Sequence, residues 1–209
     1  MNAITYNNNF KNIEELYTTE FFNNLTDHKA VIYGNKTLDF LPNQKPLKGR
    51  LNILYSRNRR RIKELYGEAD YVFESAKLKD FEPFPHIPVT FEMKLIPKKI
   101  RSGEKLPDIL DFKLSKISNG DTVLVIVDDI YDAHIVANFF DYHGRNSEIY
   151  VLGNGYIHKK MKERCDKIYY IKSDDDIKDM IVYEFESLDY LKDNQLITDK
   201  YIIKESKKE

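Results

Sequence analysis

The chain has 209 residues, 42% hydrophobic and 32% charged, with a net charge of -1. That balance excludes a disordered polar chain and gives no global attraction to nucleic acid or anionic lipid. Cys165 is the single cysteine, which excludes an internal disulfide framework and a cysteine-cluster metal site. The N-terminal MNAITYNNNF reads as neither a signal nor a transit peptide, and no apolar run approaches the roughly 20 residues a bilayer requires. The expected location is the cytoplasm.

Residues 13–25, IEELYTTEFFNNL, carry apolar side chains at helical spacing and predict one helix. AVIYG (30–34) predicts a short buried strand, and KTLDFLP one or two helical turns stopped by Pro42. RLNILYS (50–56) predicts a second strand. VLVIV (123–127) predicts a third, followed by a helix that Asp128 and Asp129 can cap and that runs to His143. EIYVL (148–152) and KIYYIK (167–172) read as strands separated by a helix, YIHKKMKERC. IVYEFES and LITDKYIIKE can pair as a C-terminal antiparallel hairpin. The repeated strand–helix–strand order predicts a single α/β domain with a mainly parallel central sheet. Residues 57–122 break the rhythm and hold five of the seven prolines; they read as an insertion, partly extended and packed on the sheet. Such a segment could meet a protein partner.

Gly153-Asn154-Gly155 joins a predicted strand to a predicted helix. Two glycines there let backbone N–H groups approach a phosphate, or they serve a tight turn alone. A dinucleotide fingerprint needs a third glycine where His158 stands.

Two longer blocks add to this. YGNKTLDFLPNQKPLKGRLNILYSRN (33–58) resembles the strand–helix–strand signature of dihydrofolate reductases, with Gly34, Lys36, Thr37, Leu41, Pro42, Pro46, Leu47, Gly49, Arg50, Asn52, Ile53, Ser56 and Arg57 in register. SEIYVLGNGYIHKKMKERCDKIYYIKSD (147–174) is similar to that family's second glycine turn and the strand after it. With the preceding helix, the resemblance covers about a third of the chain. It implies a dihydrofolate-reductase-like fold and an NADPH-dependent reduction of dihydrofolate or a related pterin. Gly34, Lys36, Thr37, Gly153, Asn154 and Gly155 would then line the cofactor. Ser56 and Arg57 would hold its 2′-phosphate, where a guanidinium fork matches a dianion. Arg59, Arg60 and Arg61 crowd nearby; the plainer reading of SRNRRRIK is a solvated basic turn. Arg50 would clamp the substrate carboxylate, and Phe22, Leu41 and Leu47 would line the aminobenzoyl region; core packing is the alternative for each apolar residue.

Departures from the family bear on catalysis. Thr18 stands where the family has its one buried carboxylate, and a hydroxyl cannot pair with a protonated pterin. Glu15 is the favoured substitute for proton supply, ahead of Glu14 and Glu20; solvated residues of an early helical turn are the alternative. Ile171 replaces the family's threonine, Asn35 an arginine, His158 a tyrosine, and Asn154 the second of two adjacent glycines. No tryptophan is present, so the family's Pro-Trp loop is missing. The second function class is therefore a protein of this fold that has lost catalysis and acts as a binding or structural component. VLVIVDDIYDAHI also resembles the acidic motif of phosphoribosyltransferases, but lacks the Thr-Gly continuation. The five histidines show no metal-binding spacing, and no G-x-S-x-G element occurs.

Overall fold

Short runs of β-branched and aliphatic residues bounded by Gly, Asp or Asn form the centre of the molecule. A computed structural model describes residues 2–10, 13–77, 93–104, 119–142, 148–153, 155–161, 167–173 and 180–185. Nine strands and six α-helices alternate along them. In chain order these are β1 (Asn2–Phe10), α1 (Ile13–Thr18), α2 (Glu20–Thr26), β2 (Ala30–Gly34), α3 (Asn35–Leu38), β3 (Leu51–Tyr55), α4 (Arg59–Leu65), β4 (Tyr71–Lys77) and β5 (Met93–Lys99). Then follow β6 (Val123–Val127), α5 (Ile130–Tyr142), β7 (Ile149–Gly153), α6 (Gly155–Met161), β8 (Lys167–Ser173) and β9 (Met180–Phe185). A 3-10 turn, Pro42–Gln44, lies between α3 and β3.

The strands form one sheet in the order β1-β8-β9-β7-β2-β3-β6-β4-β5. Its middle, β7-β2-β3-β6-β4, is parallel throughout, and β8 and β1 also pair in parallel. Residues β2, β6 and β7 contribute are buried on both faces, the condition that lets parallel strands be uniformly apolar. Alternate residues serve two cores. Ile32, Ile53, Val125 and Val151 pack with Ile130, Ala133 and Val136 of α5 and Ile157 and Met161 of α6. Val31, Tyr33, Leu54, Ile126 and Leu152 pack with Leu16 and Tyr17 of α1, Phe22 of α2 and Ile62 of α4. The fold is thus α/β, with helices on both faces of a mostly parallel sheet.

Several expectations change in detail. The helix predicted over 13–25 is two helices, because Thr19 begins a new one: its hydroxyl accepts from the Phe22 amide at 3.1 Å. Within residues 57–122, α4 packs on the sheet through Ile62 and Leu65, while β4 and β5 continue the sheet itself, with β4 in parallel register against β6 from Tyr71↔Val123. Tyr71, Val72 and Phe73 are buried there. Pro97 is tolerated in β5 because β5 is the edge strand of the sheet among the described residues. IVYEFES supplies β9, which pairs antiparallel with both β7 and β8; its expected hairpin partner, 196–205, lies outside the described residues. The Asn-rich N-terminus adds a strand, β1, that its polar sequence does not announce. No helix among the described residues is long and apolar enough to cross a membrane.

One buried amide organises the approach to the site. Asn52 in β3 donates from Nδ2 to the carbonyls of Leu47 (2.8 Å), Arg50 (3.1 Å) and Val123 (3.2 Å). Its Oδ1 accepts from the Leu47 amide at 2.8 Å and the Tyr33 hydroxyl at 3.0 Å. Burial raises the Tyr33 phenol well above its ordinary pKa, so it remains a donor. Asn52 thereby ties the 45–50 loop, β2 and β6 to one point.

Candidate functional site

Strand order locates the crevice. From β2 the chain moves to β3 and then to β4 on one side; from β6 it crosses back to β7 on the other side of β2. Ligands of open α/β sheets bind outside the carboxyl ends of the strands where the order reverses. Here that place lies between the ends of β2 and β7, at Gly34 and Gly153.

The two predicted glycine turns meet there. Gly34 precedes α3, and a Cβ added to it would stand 2.8 Å from Ile157 Cδ1 of α6. Gly153 has φ +146°, and its added Cβ would lie 3.2 Å from Thr37 Oγ1. The Thr37 hydroxyl donates to the Leu152 carbonyl at 3.4 Å. Contact between the turns therefore requires small residues before any ligand is considered. Gly153→Ala is expected to destabilise the protein by about 1–3 kcal/mol, since it combines an unfavourable φ with crowding of Thr37. Urea unfolding measures this; no change would mean that the turn relaxes freely. Lys36 is exposed on α3, and Gly155 opens α6. Asn154 lies outside the described residues.

The adjoining strand ends add charge and aromatic surface. Ser56 is buried; its amide continues the ladder to Val127 O at 2.9 Å, and its hydroxyl accepts from the Asn58 amide at 3.2 Å. Arg57 is exposed and donates from Nε to the Asp128 carbonyl at 3.0 Å. Its neighbours in the basic run pair with carboxylates: Arg59 with Glu74 (3.2 Å), Arg60 with Glu64 (3.2 Å) and Arg61 with Asp39 (3.3 Å). Arg57 has no carboxylate partner among the described residues, so the structure singles it out from four arginines. Its Nη groups carry four N–H donors that the Asp128 contact leaves untouched.

Beside Arg57 stands a stacked pair that the sequence analysis passed over. The rings of Tyr55 and Tyr156 lie 5.7 Å apart at 20°. The Arg57 guanidinium sits 6.0 Å from the Tyr55 ring and Lys160 Nζ 6.0 Å from the Tyr156 ring. Burial raises the Tyr55 phenol, Arg57 opposes that rise, and Tyr156 adds to it. Tyr156 directly follows the second glycine turn, whereas Tyr55 ends β3 and reaches the first turn only through strand register opposite Gly34.

The residues expected on the substrate side lie elsewhere. Phe22 is fully buried, edge-on to Tyr17 at 5.0 Å, and Leu41 and Leu47 belong to the same core. Arg50 is 7% exposed and its guanidinium is engaged. It donates to Thr26 Oγ1 (3.2 Å), Lys48 O (2.7 Å), Asn23 O (3.3 Å) and Asn23 Oδ1 (3.0 Å), and Asp27 stands 3.8 Å away. These contacts cap the end of α2. Glu15 is half-buried on α1, and its carbonyl accepts from the exposed Thr18 hydroxyl at 2.9 Å. Asp129 caps the start of α5, accepting from the Tyr131 amide at 2.8 Å, in line with the helix-cap reading of the Asp pair. No group of three or more potential metal ligands occurs among the described residues.

Fold and site together define an open-sheet α/β protein with a topological switch point between β2 and β7, and beside it a stacked tyrosine pair and an arginine without a carboxylate partner among the described residues. In sequence comparisons the chain matches no protein-family model and no curated protein.

Proposed function

We propose that this chain is a divergent NADPH-dependent reductase of the dihydrofolate reductase kind, acting on dihydrofolate or a related pterin. One observation carries the reading: the two turns that resemble the family's cofactor loops converge on the β2/β7 switch point, with Arg57 available beside them. Gly34, Lys36, Thr37, Gly153, Asn154 and Gly155 would flank the pyrophosphate. Ser56 and Arg57 would receive the adenosine 2′-phosphate, for which the Arg57 Nη donors suit a dianion. Bound NADPH would supply the hydride. Glu15, or a water it holds, would supply the proton that the pterin ring nitrogen needs, and Arg50 with Phe22, Leu41 and Leu47 would receive the substrate tail.

A second reading has its own support. The Arg50 guanidinium is satisfied by α2, and Thr18 replaces the expected carboxylate. Four of the five Arg50 N–H donors already hold acceptors, so a two-pronged carboxylate contact must displace at least one of them. This favours a protein that keeps the cofactor crevice and has lost reduction, serving as a binding or structural component with residues 57–122 as a surface for a partner.

Mixing the purified protein with NADPH and dihydrofolate, following absorbance and titrating NADPH by fluorescence, tests both. The reductase reading expects turnover; binding without turnover favours the second. If NADPH does not bind at all, both fail.

A further inference from the structure

We propose that Tyr156, stacked on Tyr55, is the seat on which the purine base of the bound nucleotide stacks. The inference rests on the NADPH reading and adds the residues that select the base. Tyr156 is 52% exposed, the most exposed large hydrophobic side chain described, yet its ring is held parallel to a second ring. An exposed aromatic that is oriented in this way presents a fixed flat face at little further loss of side-chain freedom when a base arrives.

The surrounding charge selects the occupant. Arg57 lies at the Tyr55 end of the stack and Lys160 at the Tyr156 end, each 6.0 Å from its ring. No carboxylate pairs with Arg57 among the described residues, unlike its three neighbours. A flat ring flanked by two cations matches an aromatic base with phosphate attached, whereas an apolar ligand would leave both cations unanswered. A purine covers more of a tyrosine ring than a pyrimidine does, so the platform favours a purine, as the adenine of NADPH is. The base takes its place against Tyr156, Lys160 swings from the ring toward phosphate, and Arg57 turns its Nη donors to the 2′-phosphate.

Calorimetric titration of the full chain with NADPH and with adenosine 2′,5′-bisphosphate tests this. Tyr156→Ala is expected to weaken both by about tenfold or more, the scale of one base–aromatic stack. Tyr156→Phe, which keeps the ring, should remain within about twofold of the native protein, as should Tyr131→Ala, an exposed tyrosine outside the stack. Thermal melts of the variants establish that the fold is retained. If Tyr156→Ala binds both probes as the native chain does, the stacking proposal is overturned and the cofactor reading stands. Native binding of NADPH without the bisphosphate also overturns it. If the native chain binds neither probe, the cofactor reading falls and the proposal falls with it.

Discussion

Asn52→Ala is expected to lower the unfolding free energy by about 3–5 kcal/mol, measured by urea denaturation. The amide meets five groups, and all are in the interior: Nδ2 faces three carbonyls and Oδ1 faces the Leu47 amide and the Tyr33 hydroxyl. Nδ2 has two hydrogens for three acceptors, so one contact is shared. Truncation removes all five contacts at once; the Arg50 carbonyl keeps the Val123 amide at 3.3 Å, and each buried group left unsatisfied costs about 1–3 kcal/mol unless water enters. Asn52→Asp should do at least as much harm, because it turns an acceptor toward the carbonyls of Leu47, Arg50 and Val123. The loop carrying Leu47 and Arg50 should also loosen, and with it any ligand that depends on either. A loss below about 1 kcal/mol for the alanine variant would show that the network is replaced by water at little cost.

Arg57→Ala is expected to reduce NADPH affinity by roughly 10- to 100-fold and to leave NADH affinity nearly unchanged. The expectation follows from the open Nη donors: a phosphate there gains charge-assisted bonds, while NADH offers a hydroxyl in its place. Arg57→Lys should recover only part of the affinity, since an ammonium cannot make the two-pronged contact. Raising the salt concentration should erode the preference for NADPH, because the site is exposed. Equal weakening of both nucleotides would instead assign Arg57 to packing on Tyr55 and would sink the 2′-phosphate role.

Much of the central sheet was legible. AVIYG, LNILY, VLVIV and EIYVL are too short and too uniformly apolar for surface helices, and all four became buried strands. The break at Thr19 was less legible: apolar spacing continues through it, and only the hydroxyl contact to the Phe22 amide reveals a second start. YVFES was hidden inside a proline-rich segment, yet it pairs with β6 because Tyr71, Val72 and Phe73 find apolar partners there. In the site, the glycines at 34 and 153 and the arginine at 57 could be named from sequence. That Arg59 pairs with Glu74 and Arg61 with Asp39, while Arg57 has no carboxylate partner among the described residues, could not, because those carboxylates lie 15 and 22 residues away and are placed by packing; Arg60–Glu64 is a local i,i+4 pair.

The sequence by itself determined six of the nine described strands, β2, β3, β6, β7, β8 and β9, and where the two glycine turns fall. Both are local properties, set by side-chain shape and by the backbone freedom of glycine. Only the tertiary structure decided the strand order, and so the switch point at which those turns meet. It also decided that Arg50 caps α2 and that Tyr55 stacks on Tyr156. Each of these depends on residues far apart in the chain, which no spacing rule relates and which only the pairing of the strands into one sheet brings together.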